Sequence, residues 1–218
     1  MIKNIFKNKS VLITGGTGTF GHHCTSLLLN LKCKKIVIFS RDEFKQFQMR
    51  KKFPQKNIRY FLGDIRDYER LKMALFKIDF VIHAAALKQV PQAEVDPIEC
   101  IKTNIFGTQN VIQASIDNNV QHVHALSTDK ASNPINLYGS TKLCLEKLVI
   151  SANHLTGLKK TKFSVSRYGN VVGSRGSITT VFEEHLKQGK GFFPITDLEM
   201  TRFWLKLDEG VKFVLKNI

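Results

Sequence analysis

The chain has 218 residues, 43% of them hydrophobic and 10% aromatic, which suits one soluble domain, or one and a fraction, with a buried core. No apolar run reaches the roughly 18 residues of a membrane span, and the N-terminus lacks a signal-peptide core. We therefore expect a cytoplasmic protein with no membrane partner. The net charge of +15 is spread along the chain without interleaved aromatics, which argues against a nucleic-acid partner and favours an anionic substrate or cofactor.

Strand-like and helix-like segments alternate from the start of the chain. Apolar strands are predicted at 10–14, 35–39, 58–62, 80–83, 122–126 and 162–167. Helices are predicted at 20–31, 42–53, 68–76, 98–118, 138–152, 178–187 and 207–215. Continuous apolar strands separated by helices indicate an α/β fold with a doubly wound parallel sheet, Rossmann-like in its arrangement. We expect a dinucleotide-binding domain at 1–177 that carries the catalytic residues, and the start of a substrate lobe at 178–218.

A glycine-rich turn follows the first predicted strand and opens the first helix. Gly15, Gly18 and Gly21 are spaced three apart, which permits a tight turn, close approach of a pyrophosphate and close helix packing. In this context the turn predicts a dinucleotide site. Its predicted contacts are Gly15, Thr17, Gly18, Thr19, Phe20 and Gly21.

The second strand ends in Ser40 and Arg41, and a guanidinium suits the 2′-phosphate that distinguishes NADP from NAD. The alternative interpretation is a helix cap, with Ser40 as the capping residue. Further cofactor contacts are predicted after strands three and four. Asp64, which follows strand three, could accept a hydrogen bond from the adenine amine. These residues are Asp64, Ile65, Ala84, Ala85, Ala86 and Lys88. An alternative for both segments is simple turns and close packing.

The catalytic candidates follow strand five. Tyr138 and Lys142 lie four apart, on one face of a helix, and a neighbouring lysine would lower the pKa of the phenol and make it a usable base. Thr128 could donate a hydrogen bond to a sugar hydroxyl or ketone. Asp129 and Lys130 add a second pair of proton-moving groups, which indicates more proton transfers than one oxidation needs. Scattered cysteines and histidines, without metal-ligand spacing, predict no metal.

Together these motifs resemble the extended short-chain dehydrogenase/reductases that act on nucleotide sugars, and within them the UDP-N-acetylglucosamine 4,6-dehydratases that invert carbon 5. The resemblance covers nearly the full chain. Its motifs are SRDE at 40–43, AAALK at 84–88, IKTN at 101–104, LSTDK at 126–130, NLYG at 136–139, RYGNVVGSRG at 167–176 and MTRFW at 200–204.

The resemblance implies a lyase that loses water from UDP-N-acetylglucosamine at the start of pseudaminic acid synthesis. Tyr138 would take the carbon 4 hydroxyl proton as hydride leaves for NADP. Neutral Lys130 would then take the carbon 5 proton, and protonated Asp129 would donate to the leaving carbon 6 hydroxyl. Related dTDP-glucose dehydratases carry glutamate where this chain has Lys130, and relatives that retain configuration carry methionine in place of Tyr138.

The resemblance also implies further contacts and a homo-oligomer. Asn104 would contact the cofactor, and the substrate contacts would be Lys88, Asn170, Arg175 and Thr196. Family members continue beyond the point where this chain stops, so we expect a C-terminally truncated substrate lobe. The alternatives are a UDP-N-acetylglucosamine 4-epimerase, which needs no acid/base pair, and an inactive NADP-binding relic.

Overall fold

A computed structural model describes residues 5–157, 159–173, 177–193, 195 and 197–218. Its main sheet has six parallel strands in the order β3-β2-β1-β4-β5-β6. The strands are β1 Ser10–Thr14, β2 Lys35–Ser40, β3 Ile58–Leu62, β4 Phe80–His83, β5 His122–Leu126 and β6 Lys162–Ser166. The predicted doubly wound α/β sheet is confirmed.

Helices cover both faces of this sheet. They are α1 Thr19–Asn30, α2 Glu43–Lys52, α3 Tyr68–Ala74, α4 Val90–Val95, α5 Pro97–Ile101, α6 Gly107–Asp117, α7 Leu137–Ser151, α8 Ile178–Lys187 and α9 Leu207–Lys216. Side chains define several starts: Asp42 accepts from the Lys45 amide at 2.9 Å to cap α2, and Asn136 accepts from the Gly139 amide at 2.8 Å to cap α7.

The strand order reverses between β1 and β4, which are neighbours in the sheet although two strands separate them in the chain. Their carboxyl ends coincide, because Thr14 is in register with His83. Loops leave the two strands in opposite directions here, so a crevice opens at this edge, the usual ligand position in such sheets. Two apolar clusters, one on each face of the sheet, form the core below it.

The helix predicted at 98–118 is interrupted. Residues Lys102–Phe106 form a wider π-helical turn between α5 and α6. Such turns insert one extra residue into a helix and are frequent at functional sites. The pattern of apolar residues could not reveal the break, because a π-turn keeps the chain helical on both sides. Helix α4 was also not predicted.

The last part of the chain adds a small two-stranded parallel sheet, β7 Asn170–Val171 and β8 Trp204–Leu205, which was not predicted. Helix α8 lies where predicted and has no buried residue. Helix α9 instead buries Val211 and Val214 in the cluster that contains Leu28 of α1. His23 of α1 lies 3.1 Å from the Asp208 carboxylate of α9. Among the described residues, no helix has the length and apolar character needed to cross a membrane.

Candidate active site

The crevice at the carboxyl edge of the sheet is a cavity of about 670 Å³. Most of the predicted site residues line it, on loops that follow β1 to β5 and on α7. The predicted residues in its wall are Gly15, Thr17, Gly18, Thr19, Phe20, Ser40, Arg41, Asp64, Ile65, Ala84, Ala85, Ala86, Lys88, Thr128, Lys130, Tyr138, Lys142 and Asn170. One cavity therefore joins the predicted nucleotide end to the predicted chemical end.

The glycine turn forms the floor of the cavity. Gly15 has φ +64°, and a Cβ there would lie 2.8 Å from the Ala85 Cα, so both conformation and space require glycine. Gly21 does not line the cavity. A Cβ on it would collide with the backbone of Gly16, so its role is the close helix packing that the spacing predicts. The cradle at Gly15 is shaped for a ligand that approaches the backbone closely.

A buried hydrogen-bond chain holds the tips of β1 and β4 together. The Thr14 hydroxyl accepts from the two backbone amides that follow His83, at 3.1 and 3.2 Å, and donates to His83 Nδ1 at 2.7 Å. His83 Nε2 then donates to Thr108 Oγ1 at 3.0 Å, since that hydroxyl donates to the Asn104 carbonyl. Burial, with Lys142 adding to it, lowers the pKa of His83 to about 3, so the imidazole is neutral. These hydrogen bonds fix the alanine loop beside the glycine turn.

Cations dominate the end of the cavity formed by the loops after β2 and β3. Arg41 Nη1 lies 3.5 Å from Asp64, which also accepts from Arg66 Nη2 at 2.8 Å. Burial raises the pKa of Asp64, but its hydrogen bonds from Arg66 outweigh that effect and the net pKa is lowered. The half-exposed Arg41 guanidinium and Lys45 both line the cavity. Ser40 is not the cap of α2, because Asp42 occupies that position.

Asn104 is fully buried and does not line the cavity. Its side chain accepts from the Leu87 amide at 2.8 Å, donates to the Leu87 carbonyl at 2.9 Å, and donates to Thr141 Oγ1 at 3.0 Å. Direct contact between Asn104 and the cofactor stays a prediction. Asn104 ties the loop that carries Lys88 to helix α7.

Tyr138 and Lys142 lie on the face of α7 that lines the cavity. Lys142 is 4% exposed and donates to the Leu126 carbonyl at 2.5 Å. Burial lowers the pKa of Lys142 to about 8, although the Glu146 charge opposes it. Burial also raises the pKa of Tyr138 to about 12 and outweighs the opposing contribution of the neighbouring Thr128 side chain. The expected lowering of the tyrosine pKa is wrong, because desolvation outweighs the neighbouring groups.

Asp129 and Lys130 form an ion pair, with Lys130 Nζ 3.1 Å from Asp129 Oδ1, and Lys130 lines the cavity whereas Asp129 does not. The same carboxylate oxygen accepts from the Thr128 hydroxyl at 2.8 Å, and Lys130 also donates to Asn170 Oδ1 at 2.9 Å. Burial raises the pKa of Asp129, but the hydrogen bonds from Thr128 and Lys130 outweigh it and leave the pKa below its usual value. The lowered pKa favours the ionised carboxylate of Asp129, whereas the resemblance implies a protonated acid at this position.

A buried carboxylate, Glu146, supports helix α7 and was missed from the sequence. Glu146 follows Lys142 by four residues, on the same helix face, and accepts from Arg167 Nε at 2.7 Å and Nη2 at 2.6 Å. It also accepts from the Ser127 hydroxyl, so it ties α7 to the end of β5. The signal available in the sequence was the repeat of four from Tyr138 through Lys142 to Glu146.

Three predicted site residues and the prediction about metal remain to be described. Lys88 lines the cavity, and burial lowers the pKa of its amine. Arg175 and Thr196 lie outside the described residues. Within the described ranges, no cluster of three or more histidine, cysteine, aspartate or glutamate side chains could hold a metal ion.

Residues 11–218 match the model of a family described as "Polysaccharide biosynthesis protein". The chain belongs to this family. Among its curated relatives, the UDP-N-acetylglucosamine 4,6-dehydratase (inverting) of Campylobacter jejuni is 58% identical over 98% of the chain. A UDP-glucose 4-epimerase of Rickettsia canadensis is 43% identical over 97% of the chain. Pen from Bacillus thuringiensis, a solved structure, is 45% identical, with a TM-score of 0.94 over 97% of this chain and 65% of that one.

The chain covers only part of the length of the relatives that it matches. The chain spans 64% of the Campylobacter relative and 63% of the Rickettsia relative. Within that span the family's doubly wound fold is intact, with the glycine turn and the α7 residues in one cavity.

Proposed function

We propose that this polysaccharide biosynthesis family member is the catalytic part of an NADP-dependent dehydratase, which removes water from UDP-N-acetylglucosamine and inverts carbon 5. The observation that carries the proposal is the Asp129–Lys130 pair, 3.1 Å apart, beside Thr128. Lys130 and Thr128 line the cavity that also contains Tyr138. A simple oxidation needs only the tyrosine and its lysine. The name of the relative from Campylobacter jejuni, at 58% identity, supports the same chemistry.

The fit to a dinucleotide rests on the cavity itself. Gly15 leaves room for a pyrophosphate at the start of α1, and Arg41 and Lys45 supply positive charge where a 2′-phosphate would bind. When bound, the oxidised nicotinamide would accept and return hydride, and its positive charge would favour the phenolate of Tyr138. These residues are the basis for NADP over NAD.

Tyr138 and Thr128 handle the first proton. The Thr128 hydroxyl would orient the carbon 4 oxygen, and Tyr138 would remove the proton from that oxygen. Lys142 is buried beside them with a pKa of about 8, so it can hold positive charge at neutral pH and stabilise the phenolate. The carbon 4 ketone that results acidifies the proton on carbon 5.

Asp129 and Lys130 handle the elimination. One proton transfer along the 3.1 Å contact from Lys130 to Asp129 converts the ion pair into a neutral amine and a carboxylic acid. The amine would then take the carbon 5 proton, and the acid would protonate the departing carbon 6 hydroxyl. The pair needs no external proton to reach this state.

Purified protein incubated with UDP-N-acetylglucosamine and NADP⁺ tests the proposal. The expected product is a 4-keto-6-deoxy sugar with inverted carbon 5, followed by NMR in deuterated water. Product that differs only in configuration at carbon 4 would instead establish an epimerase, the alternative that the Rickettsia relative supports. Cofactor binding without any turnover would support the inactive relic.

The wider setting is also proposed. We assign residues 1–177 to the NADP-binding domain and 178–218 to the start of the substrate lobe, with Lys88, Asn170, Arg175 and Thr196 as substrate contacts. A cytoplasmic homo-oligomer that supplies pseudaminic acid synthesis fits the dehydratase role. Light scattering of the purified protein tests the oligomer.

A further inference from the structure

Gly169 lies between β6 and β7 and lines the cavity, although no contact was predicted for it. A Cβ on this residue would lie 2.7 Å from the Cβ of Phe203 and closer still to the Phe203 carbonyl oxygen. Two carbon atoms in contact prefer a separation of about 3.5–4.0 Å, so a side chain here would push the two segments apart. The backbone of Gly169 does not have a positive φ, so the close approach, and not the conformation, requires glycine.

The close approach brings two backbones within hydrogen-bonding distance. The Asn170 amide donates to the Phe203 carbonyl at 2.8 Å, and the Val172 amide donates to the Leu205 carbonyl at 3.1 Å. These bonds pair β7 with β8. The Phe203 oxygen that a Cβ on Gly169 would strike is therefore the acceptor for the Asn170 amide. A side chain at this position and the start of the small sheet exclude each other.

Both neighbours of Gly169 hold the turn after β5, which carries the proposed acid and base. The Tyr168 carbonyl accepts from the Asp129 amide at 3.1 Å. On the other side, Asn170 Oδ1 accepts from Lys130 Nζ at 2.9 Å. The side chain of Asn170 thus fixes the direction of one N–H bond of the Lys130 amine. A shift of the backbone at Gly169 would move both acceptors away from the turn.

We propose that Gly169 is a positioning residue, which lets β8 hold Asn170 at the place where its side chain directs the amine of Lys130. This assignment rests on the proposed dehydratase function. It makes the small sheet the link between the acid/base turn and the segment that follows α8, which we assign to the substrate lobe. Tyr138 lies on α7, outside this link, so oxidation at carbon 4 should not depend on Gly169.

The test is a double-mutant cycle, in which Gly169→Ala is made in the parent protein and in Asn170→Ala. Water loss from UDP-N-acetylglucosamine should fall about 5- to 10-fold in the parent background, because Lys130 loses a correctly placed acceptor. It should fall less than about twofold in the Asn170→Ala background, where that acceptor is already absent. Oxidation at carbon 4, followed by NADPH absorbance, should change less than about twofold in either background. Gly191→Ala is the matched control, because a Cβ there meets no described atom within 4 Å.

Amide hydrogen exchange supplies a readout that is independent of turnover. The Asn170 amide should be protected in the parent protein and in Gly191→Ala, and should exchange at least about 10-fold faster in Gly169→Ala. Thermal unfolding of the same samples shows that each variant is folded. If Gly169→Ala does not fold, Phe203→Gly loosens the backbone at the same carbonyl, and Phe203→Ala, which also removes this exposed side chain, is its control. In that pair only Phe203→Gly should slow water loss, with the same dependence on Asn170.

Several outcomes would overturn the assignment. Full water loss in Gly169→Ala, an equal fall in both backgrounds, or a fall in oxidation that matches the fall in water loss would each do so. An unprotected Asn170 amide in the parent protein would overturn it whatever the turnover. A protected amide in a parent protein that forms no 4-keto-6-deoxy product would leave the pairing of β7 with β8 in place and overturn the proposed function.

Discussion

The two pairs that we propose to move protons lie in different surroundings, although Lys130, Tyr138 and Lys142 line the same cavity. Tyr138 and Lys142 are enclosed on α7, where burial sets both pKa values and moves each away from its charged form. Asp129 and Lys130 lie on the half-exposed turn after β5, where burial raises the pKa of Asp129 but hydrogen bonds from Thr128 and Lys130 outweigh it and lower the pKa overall. Burial therefore prepares the first pair for a ligand that brings charge, whereas the second pair can exchange its own proton.

Lys142→Met should have the largest effect. Without the buried ammonium, turnover of UDP-N-acetylglucosamine should fall about 100- to 10,000-fold. The ligand-free protein should nevertheless become more stable near neutral pH, although the Leu126 carbonyl loses a donor. The measurements are product formation and thermal unfolding, with Lys147→Met on the exposed face of α7 as control.

The pH dependence of that stability follows from the sign of the shift. The pKa of Lys142 is lowered from 10.5 to about 8, so the folded state resists protonation, and this costs about 3 kcal/mol below pH 8. The cost disappears as the pH rises from about 8 towards 10.5. Parent protein should gain stability across this range and Lys142→Met should not. Parallel curves for the two proteins would contradict the buried-charge account.

The Asp129→Asn variant should separate the proposed loss of water from the proposed oxidation at carbon 4. The carboxamide cannot deliver a proton to the leaving hydroxyl, so water loss should fall about 100- to 1,000-fold. Slow oxidation at carbon 4 should continue, because Thr128 and Tyr138 are unchanged. NADPH absorbance and NMR of the sugar distinguish the two steps, and the exposed Glu69→Gln provides the control. Full turnover in Asp129→Asn would rule out the acid role.

The hydrogen bond from Lys130 to Asn170 links the turn after β5 to β7, and substitutions of Asn170 test its importance. Asn170→Ala removes the acceptor 2.9 Å from Lys130 Nζ, and turnover should fall about 10-fold. Asn170→Asp places a carboxylate there, which favours the charged amine, so the optimum of the pH–rate profile should move to higher pH. A profile unchanged in Asn170→Asp would mean that this contact does not govern the base.

Glu146→Gln should have the smallest catalytic effect and a measurable effect on folding. It weakens the two bonds from Arg167 and the one from Ser127, and the free energy of unfolding should fall about 1–3 kcal/mol. Burial raises the pKa of Glu146, but the bonds from Arg167 and Ser127 lower it below 4.5 overall. Its contribution is therefore present above pH 4.5 and is lost as the pH falls further. Urea titrations at several pH values, with exposed Glu184→Gln as control, measure this.

The sequence predicted the sheet better than the details of the site. Unbroken apolar runs defined the six strands to within a residue or two, because strands buried on both faces leave little ambiguity. The glycine turn and the α7 residues line one cavity, because the carboxyl ends of parallel strands lie at the same edge of the sheet. Spacing and fold topology were sufficient for these features.

The features that were not predicted correctly, or not predicted at all, depend on contacts between residues distant in the sequence. The pKa of Tyr138 follows from how many atoms enclose it, which spacing to Lys142 cannot report. Asn104 turned into the core because the Leu87 backbone and Thr141 offered partners there. The pairing of Asn170 with Trp204 joins two short strands that lack a strand-like pattern by themselves.

The contact between α1 and α9 has a consequence for the order of folding. Helix α1 begins at the glycine turn, yet part of its apolar face packs on α9, and His23 meets Asp208 across 185 residues of chain. During synthesis, the N-terminal half leaves the ribosome long before this partner exists. Closing so long a loop is slow, so helix α1 should be among the last elements to become fully stable. A dinucleotide that binds early would then act as a folding template for the first helix.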